Sequence, residues 1–441
     1  MGGCTTYVVK TIIQRIIDDY DIIGYPRLVR LNPNVPWKTR GNGALSLRIG
    51  KKGEDAYLKI GEINGTDVFS SHSMTQELDD NERKEVYRII QEILAQQAHT
   101  EDDNTNPGFV LMQTPPEPTM YHDAVTRIVP LDEVLSFLKD RRALFEGYKN
   151  KRGLIGATAA IAWVPQDRTY EVIAYRKKER WGTKRDVDPA SVQTMDAAVP
   201  STFDNYDYQN KHNRITPNSP CPILFGIRGD HPGDLMTAAS MIRGEPLDSW
   251  LVFESNQGTD DHLQRKLIRQ VQPYESVIIE GHVEKNPWTI QGGHVLFSLR
   301  DDTGTIPCAA YEPTKEFRGL IRWLYHGDTV EVSGGVREQP LTVNLEKITV
   351  KHLSIVQKKR ENPVCPVCGK HMKSKGTGQG YKCMVCKTTS NTPRYVDESR
   401  ALFKGSYEVP VCARRHLSKP LKRTTTSKQR ISIIGNAGTP R

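Results

Sequence analysis

Two Cys-x-x-Cys pairs, Cys365-Pro-Val-Cys368 and Cys383-Met-Val-Cys386, stand fourteen residues apart near the end of a 441-residue chain. No other feature restricts the local fold so narrowly. Each pair turns back so that both thiolates face one point, and two such knuckles close a tetrahedron round Zn²⁺. Gly369 suits the tight turn after the first knuckle. The segment is too short to own a core, so metal binding must hold it folded, on the order of 10 kcal/mol. A closed site of four thiolates leaves no open position for substrate or water. It therefore reads as structure and RNA contact, with Lys370, His371, Lys373, Lys375 and Lys382 placed around it to face phosphates.

The other four cysteines, Cys4, Cys221, Cys308 and Cys412, are far apart in sequence. That is a reducing, intracellular distribution and points to the cytoplasm. No run approaches the ~18 apolar residues of a membrane span. A composition of 37% hydrophobic and 26% charged residues fits a soluble globular chain, and the length suggests two to four domains. The net charge is +9, of which residues 409–441 carry +8, with eight Lys or Arg and no Asp or Glu. This basic tail, with Arg414, Arg415 and Lys419, reads as a polyanion contact.

Residues 25–43 read Tyr-Pro-Arg-Leu-Val-Arg-Leu-Asn-Pro-Asn-Val-Pro-Trp-Lys-Thr-Arg-Gly-Asn-Gly. Proline fixes φ and glycine raises the entropy cost, so this is poor helix material. A strand over 27–31 followed by a rigid polar loop is the natural reading. Lys38, Thr39, Arg40, Gly41, Asn42 and Gly43 offer cations, a hydroxyl, an amide and close backbone access. Those are the groups a triphosphate needs, and Arg27 and Arg30 add two more cations. The loop is not a P-loop, since Gly50-Lys51-Lys52 lacks both the first glycine and the hydroxyl residue. No Gly-x-Gly-x-x-Gly follows a strand either, so nucleotide chemistry must use another scaffold.

Apolar spacing predicts helices over 11–19, 79–97 and 131–148. Strand patterns over 170–175, 222–227 and 249–254 alternate with a helical one over 231–243, which suggests an α+β sandwich. From residue 273 five short strand patterns over 276–352 and a helical piece at 316–325 give the OB pattern. Such barrels bind single strands on aromatic platforms, and Trp288, Phe297 and Tyr311 are the candidates.

One resemblance covers nearly the whole chain. Gly2-Gly-Cys-Thr-Thr-Tyr7, the 25–43 segment, Lys151-Arg-Gly-Leu-Ile-Gly-Ala157, Gly226-Ile-Arg-Gly-Asp230, Asn256-Gln-Gly-Thr-Asp-Asp-His262 and Ala413-Arg-Arg-His-Leu417 occur in that order. Together they resemble the archaeal tRNA(Ile) 2-agmatinylcytidine synthetases. The resemblance implies an α+β multidomain protein. Its parts would be a kinase-like α/β catalytic domain over 1–130, a ferredoxin-like domain over 131–272, an OB-fold β-barrel over 273–357, a zinc ribbon over 363–392 and a basic tail over 393–441. Family members carry a short strand and an Asp-Asp-Thr-Asp stretch ahead of the Cys-Thr-Thr. Here Met1 sits almost on that motif, so the expectation is either a misassigned start site or a chain that has lost a strand and its carboxylates for Mg²⁺.

The implied reaction is ATP-dependent attachment of agmatine to C2 of the wobble cytidine of an isoleucine tRNA with a CAU anticodon. It would change decoding from AUG to AUA. The implied cofactors are ATP, Mg²⁺ and a structural Zn²⁺, in a monomer that meets no membrane. Thr5 reads locally as a helix N-cap. The resemblance makes it the residue that ATP phosphorylates, with Cys4 and Thr6 beside it as further catalytic candidates. Agmatine is a dication, and a guanidinium wants a bidentate carboxylate. Asp230, Thr259, Asp260, Asp261 and His262 are the candidates to hold it. Trp288 and the basic residues of ribbon and tail are the candidates for tRNA. A non-catalytic RNA-binding protein, or another nucleotide-dependent RNA enzyme on this scaffold, are the alternatives.

Overall fold

The strand Leu247–Ser255 organises the first two-thirds of the molecule. The structure is a computed structural model describing residues 4–38, 41–53, 57–72, 76–392, 394–397 and 399–424. The first elements are α1 (Thr5–Ile16), β1 (Tyr20–Ile23), β2 (Arg27–Arg30), β3 (Gly43–Ser46), β4 (Ile49–Lys51), β5 (Tyr57–Ile63), β6 (Thr66–Ser71), α2 (Asp80–Gln97) and β7 (Gly108–Leu111). Next come α3 (Pro118–Thr126), α4 (Leu131–Asp140), β8 (Leu144–Gly147), α5 (Gly153–Ala162), β9 (Thr169–Arg176) and α6 (Pro189–Ala198). They are followed by β10 (Thr202–Phe203), β11 (Tyr206–Asp207), β12 (His212–Asn213), β13 (Ile223–Gly229), α7 (Pro232–Ser240) and β14 (Leu247–Ser255).

Ten strands form one sheet, in the order β10-β13-β9-β14-β5-β6-β1-β4, with β2 and β3 branching from β14. β14 is antiparallel to β5 at Ser249, Trp250 and Leu251, then parallel to β2 at Glu254 and Ser255. The sheet therefore forks along one strand. The two parts expected over 1–130 and 131–272 share it, and the line between them crosses the antiparallel β7–β8 pair.

Helix α1 begins earlier than its isoleucines suggested and buries Val9, Ile12, Ile13 and Ile16 against the sheet. Helix α2 is entered through a capping box, with Asp79 and Glu82 reciprocally bonded. The helix expected over 131–148 stops at Asp140. Arg142 takes φ +50°, and the chain turns to pair β8 with β7. The small, apolar residues of α5 pack against α3 and bury Leu154, Thr158, Ala159 and Ala160.

β15 (Leu263–Arg265) pairs with β16 (Ser276–Ile290), the first strand of a barrel. β17 (His294–Asp301), β18 (Gly304–Ala310), α8 (Phe317–Ile321), β19 (Thr329–Arg337) and β20 (Thr342–His352) complete it. β16 pairs with both β17 and β19, and β18 runs parallel to β20, which closes five strands in the OB manner. Phe297 is fully buried in this core, so it is no base platform.

After the barrel, β21 (Gln357–Glu361) and β25 (Arg394–Asp397) pair as a two-stranded stalk. It carries β22 (Lys373–Ser374), β23 (Tyr381–Lys382) and β24 (Thr389–Ser390). The stalk's foot is clamped where Arg400 bonds both oxygens of fully buried Asp328 and the carbonyl of Ser354, 2.7 Å away.

The chain returns as β26 (Gly405–Glu408) to pair with β20, and it ends its described course in α9 (Leu421–Thr424). The tail expected to reach for RNA is, up to residue 424, part of the fold. Arg414 pairs with Asp204 and Glu408, Arg415 with Glu346 and Asn34, and Lys419 with Asp167. Their charges are met inside the protein because the tail bridges the barrel and the sheet. Among the described residues no helix is long and apolar enough to cross a membrane.

Candidate active site

A cleft of about 2340 Å³ runs beside the fork in the sheet. Cys4, Thr5 and Thr6 line it at the head of α1, together with Arg27, Arg30, Lys38, Gly41, Asn42 and Gly43 of the β2–β3 hairpin. Thr39 and Arg40 lie outside the described residues.

Thr5 is the first residue of α1 and Cys4 is the N-cap, without a side-chain cap bond. Thr5 therefore does not cap the helix. Its side chain is exposed to the cleft and makes no hydrogen bond among the described residues. It sits where the first turn's backbone N–H groups and the helix dipole favour an anion. Thr6 is buried, with its hydroxyl 3.2 Å from Cys4 Sγ. Burial pushes the Cys4 thiol up, which keeps it protonated and makes it a poor nucleophile.

The hairpin loop is held from behind. Asn32 donates to the carbonyl of Tyr274, and Asn34 to the carbonyl of Glu275 and the hydroxyl of Ser276. Asn42 donates to the carbonyl of Asn32. The asparagines thus shape the loop and tie it to the barrel, while Gly41, at φ +68°, lets the chain pass Arg30. Arg27 is held by Glu254 and the carbonyl of Trp163. Arg30 donates to Gln257 and the Gly41 carbonyl, and burial lowers its pKa to about 10. At the rim Trp37, half exposed, carries the Arg152 guanidinium 4.3 Å from its ring centre.

None of the five residues expected to hold agmatine lines this cleft. Asp260 pairs with Lys347, Asp261 accepts from Tyr121 at 2.5 Å, and Thr259 donates to the carbonyl of Asn256. His262 is sealed against Glu346. Residues 256–262 form the joint between the sheet and the barrel. Asp230 does hold a guanidinium, but it belongs to Arg423, which Asp167 and the Gly258 carbonyl also bind. An acidic motif in sequence cannot reveal that its partners lie on distant elements.

Among the cleft residues that escaped the sequence reading are Glu171, Arg214, Arg228 and His416. Arg228 and His416 stand inside motifs that were legible, Gly-Ile-Arg-Gly-Asp and Ala-Arg-Arg-His-Leu. Glu171 is buried, accepts from Gln257 and lies 3.4 Å from Arg228 Nε.

In the ribbon the four sulfurs of Cys365, Cys368, Cys383 and Cys386 lie within 4.8 Å of one another. Sulfur pairs at 3.2, 3.4 and 3.7 Å approach the edge of about 3.8 Å that a tetrahedron with ~2.3 Å arms requires. Gly369 and Lys387, at φ +68° and +67°, each close a knuckle by donating to the carbonyls of Cys365 and Cys383. The residues present fit one zinc ion. Lys370, Lys373, Lys375 and Lys382 are all exposed around it. On the barrel Trp288 is half-buried, with Lys285 Nζ 4.5 Å from its ring centre.

Three family models match in chain order: the TiaS TCKD domain over 1–150, the TiaS FLD domain over 151–262 and the TiaS C-terminal zinc ribbon over 362–402. The isoleucine-tRNA 2-agmatinylcytidine synthetase TiaS of Methanocaldococcus jannaschii is 40% identical over 429 residues, 95% of each chain. The chain belongs to the TiaS family of isoleucine-tRNA 2-agmatinylcytidine synthetases. The TiaS of Archaeoglobus fulgidus is 38% identical over 98% of this chain and 96% of its own. A crystal structure of TiaS in complex with its isoleucine tRNA and ATP matches at TM-score 0.84 and 37% identity, over 97% of this chain and 95% of that one. A TiaS complex with the same tRNA, AMPCPP and agmatine matches at TM-score 0.79 and 35% identity, with the same coverage. The TiaS fold thus extends over the forked sheet, the barrel and the ribbon.

Proposed function

We propose that this chain uses ATP to attach agmatine to C2 of the wobble cytidine in the isoleucine tRNA with a CAU anticodon. The observation that carries the reading is the unbonded, exposed hydroxyl of Thr5. It opens, at a helix N-terminus, on the same cleft as the anion-binding hairpin loop. Family membership and relatives solved with their isoleucine tRNA, ATP and agmatine support the substrates.

The C2 oxygen of cytosine is a poor leaving group, and phosphorylation makes its departure feasible. The primary amine of agmatine then attacks C2 and phosphate leaves. The base has to be flipped from its stack to reach the cleft. In this reading Arg27, Arg30, Lys38 and the backbone at Gly41, Asn42 and Gly43 hold the ATP phosphates, and Thr5 accepts a phosphoryl group. Among the described residues, only the four cysteines bring three or more metal-ligand atoms together. No step is assigned to Mg²⁺.

The proposed division of labour gives ATP to residues 1–130 and agmatine to 131–272, while the barrel and ribbon hold the tRNA body. One ribbon feature favours RNA there. Lys373 and Lys382 are direct cross-strand partners, and like charges so placed repel unless an anion lies between them.

Incubation with labelled agmatine, ATP and the CAU-anticodon isoleucine tRNA tests the reading. Label should enter the tRNA only when all components are present. Full-length enzyme that consumes ATP without labelling the tRNA would overturn it.

A further inference from the structure

The tail residue His416 stands on the cleft wall among three guanidinium groups. Arg228 Nη2 lies 3.0 Å from its Nδ1. Its Nε2 and Arg30 Nη1 both approach Gly41, at 3.3 and 2.6 Å from where a Cβ would stand. Arg214 completes the group on the same cleft, and its side chain makes no hydrogen bond or ion pair among the described residues. Glu171 is the carboxylate that partners Arg228 here. One carboxylate against three guanidiniums leaves a surplus of positive charge facing open space.

The geometry points to a phosphate-binding site formed by Arg30, Arg214, Arg228 and His416, in which only Arg30 comes from the hairpin. Because Arg228 donates to Nδ1, neutral His416 carries its proton on Nε2 and can donate it to a phosphate oxygen. Arg30 above all, with Arg228 and Arg214 behind it, holds the His416 pKa well below its ordinary value, so it acts as a neutral donor. Its main chain is fixed, since its carbonyl accepts from Gly258 N and that of Leu417 from Asp260 N. A donor held in place before the ligand arrives, as His416 is, binds with little reorganisation.

The ligand class is a phosphate bearing one or two negative charges. It comes either from the RNA backbone beside a flipped nucleotide or from ATP. The inference deepens the proposed reaction, but its test reads binding rather than agmatine incorporation. Arg214→Ala and His416→Ala are compared with wild type for ATP affinity without tRNA, for tRNA affinity across a salt series, and for melting temperature. An RNA source predicts about tenfold weaker tRNA binding and a log–log salt slope reduced by roughly one in Arg214→Ala. A nucleotide source predicts at least fivefold weaker ATP binding instead. Arg214 has no partner to lose, so this variant decides the matter even if His416→Ala melts early. Binding of ATP and of tRNA by Arg214→Ala within twofold of wild type would overturn the site. An Arg214→Ala deficit in a protein whose wild type never incorporates agmatine would leave the site standing and sink the proposed reaction alone.

Discussion

His262 Nε2 donates to Glu346 Oε2 across 3.1 Å, with both side chains buried between the forked sheet and the barrel. Burial opposes charge on Glu346, but His262, Arg415 and Lys347 outweigh it and hold its carboxyl at about 2, below its ordinary 4.5. A depressed carboxyl stabilises the fold above its unfolded value, and this contribution is lost as pH falls through the folded one. Melting temperature should therefore drop between pH 4.5 and 2. The curve for Glu346→Gln should start lower and be flatter across that window. Parallel curves would show that this contact does not control the acid response.

Thr5 caps nothing, so Thr5→Ala should change stability by no more than about 0.5 kcal/mol. Incubation with ATP followed by mass spectrometry should find phosphate on Thr5 in the wild type and none in the variant. Full agmatine incorporation by Thr5→Ala would remove the residue from the reaction.

The ribbon should hold one zinc ion per chain, measurable by metal analysis of protein prepared without chelator. Cys368→Ser should lose the metal and unfold the ribbon, since a three-thiolate remnant cannot close the tetrahedron. ATP binding in the cleft should survive while tRNA binding weakens. Equal loss of both would tie the ribbon to the cleft more closely than the stalk suggests.

Arg414 is nearly buried between Asp204 and Glu408. Removing one partner from such a pair costs about 3 kcal/mol or more, because the remaining charges stay buried. Arg414→Ala should therefore melt well below wild type in a thermal scan. If it instead melts normally and binds tRNA weakly, the tail contacts RNA after all.

Lys373→Ala with Lys382→Ala should reduce the salt dependence of tRNA binding by roughly one to two units of slope. Because both side chains are exposed, the melting curve should not move. An unchanged slope would place the RNA elsewhere.

Much of this was written in local signals. The cysteine spacing, the Asp79–Glu82 cap and the isoleucine face of α1 each depend on residues a few positions apart. The helix over 131–148 misled because its apolar positions serve both α4 and strand β8. The acidic run at 259–262 and the basic run at 414–419 both find partners inside the fold, for a shared reason. Each is charged because the other side of an interface is charged, as with Asp260 against Lys347 or Lys419 against Asp167. A charged run gives no sign in sequence that its partners stand far along the chain. The same long range hid Arg214, Arg228 and His416, which only the folded tail brings together.

The stalk beneath the ribbon leaves from and returns to nearly one point, with Arg400 holding the Ser354 carbonyl at 2.7 Å. The whole module is thus an annex whose doorway is already shut by the barrel. The thread that goes on to deliver His416 resumes from a fixed position whatever happens beyond that doorway. On the proposed division of labour, a cell short of zinc would then lose the enzyme's reach toward its RNA before it lost the chemistry of the cleft.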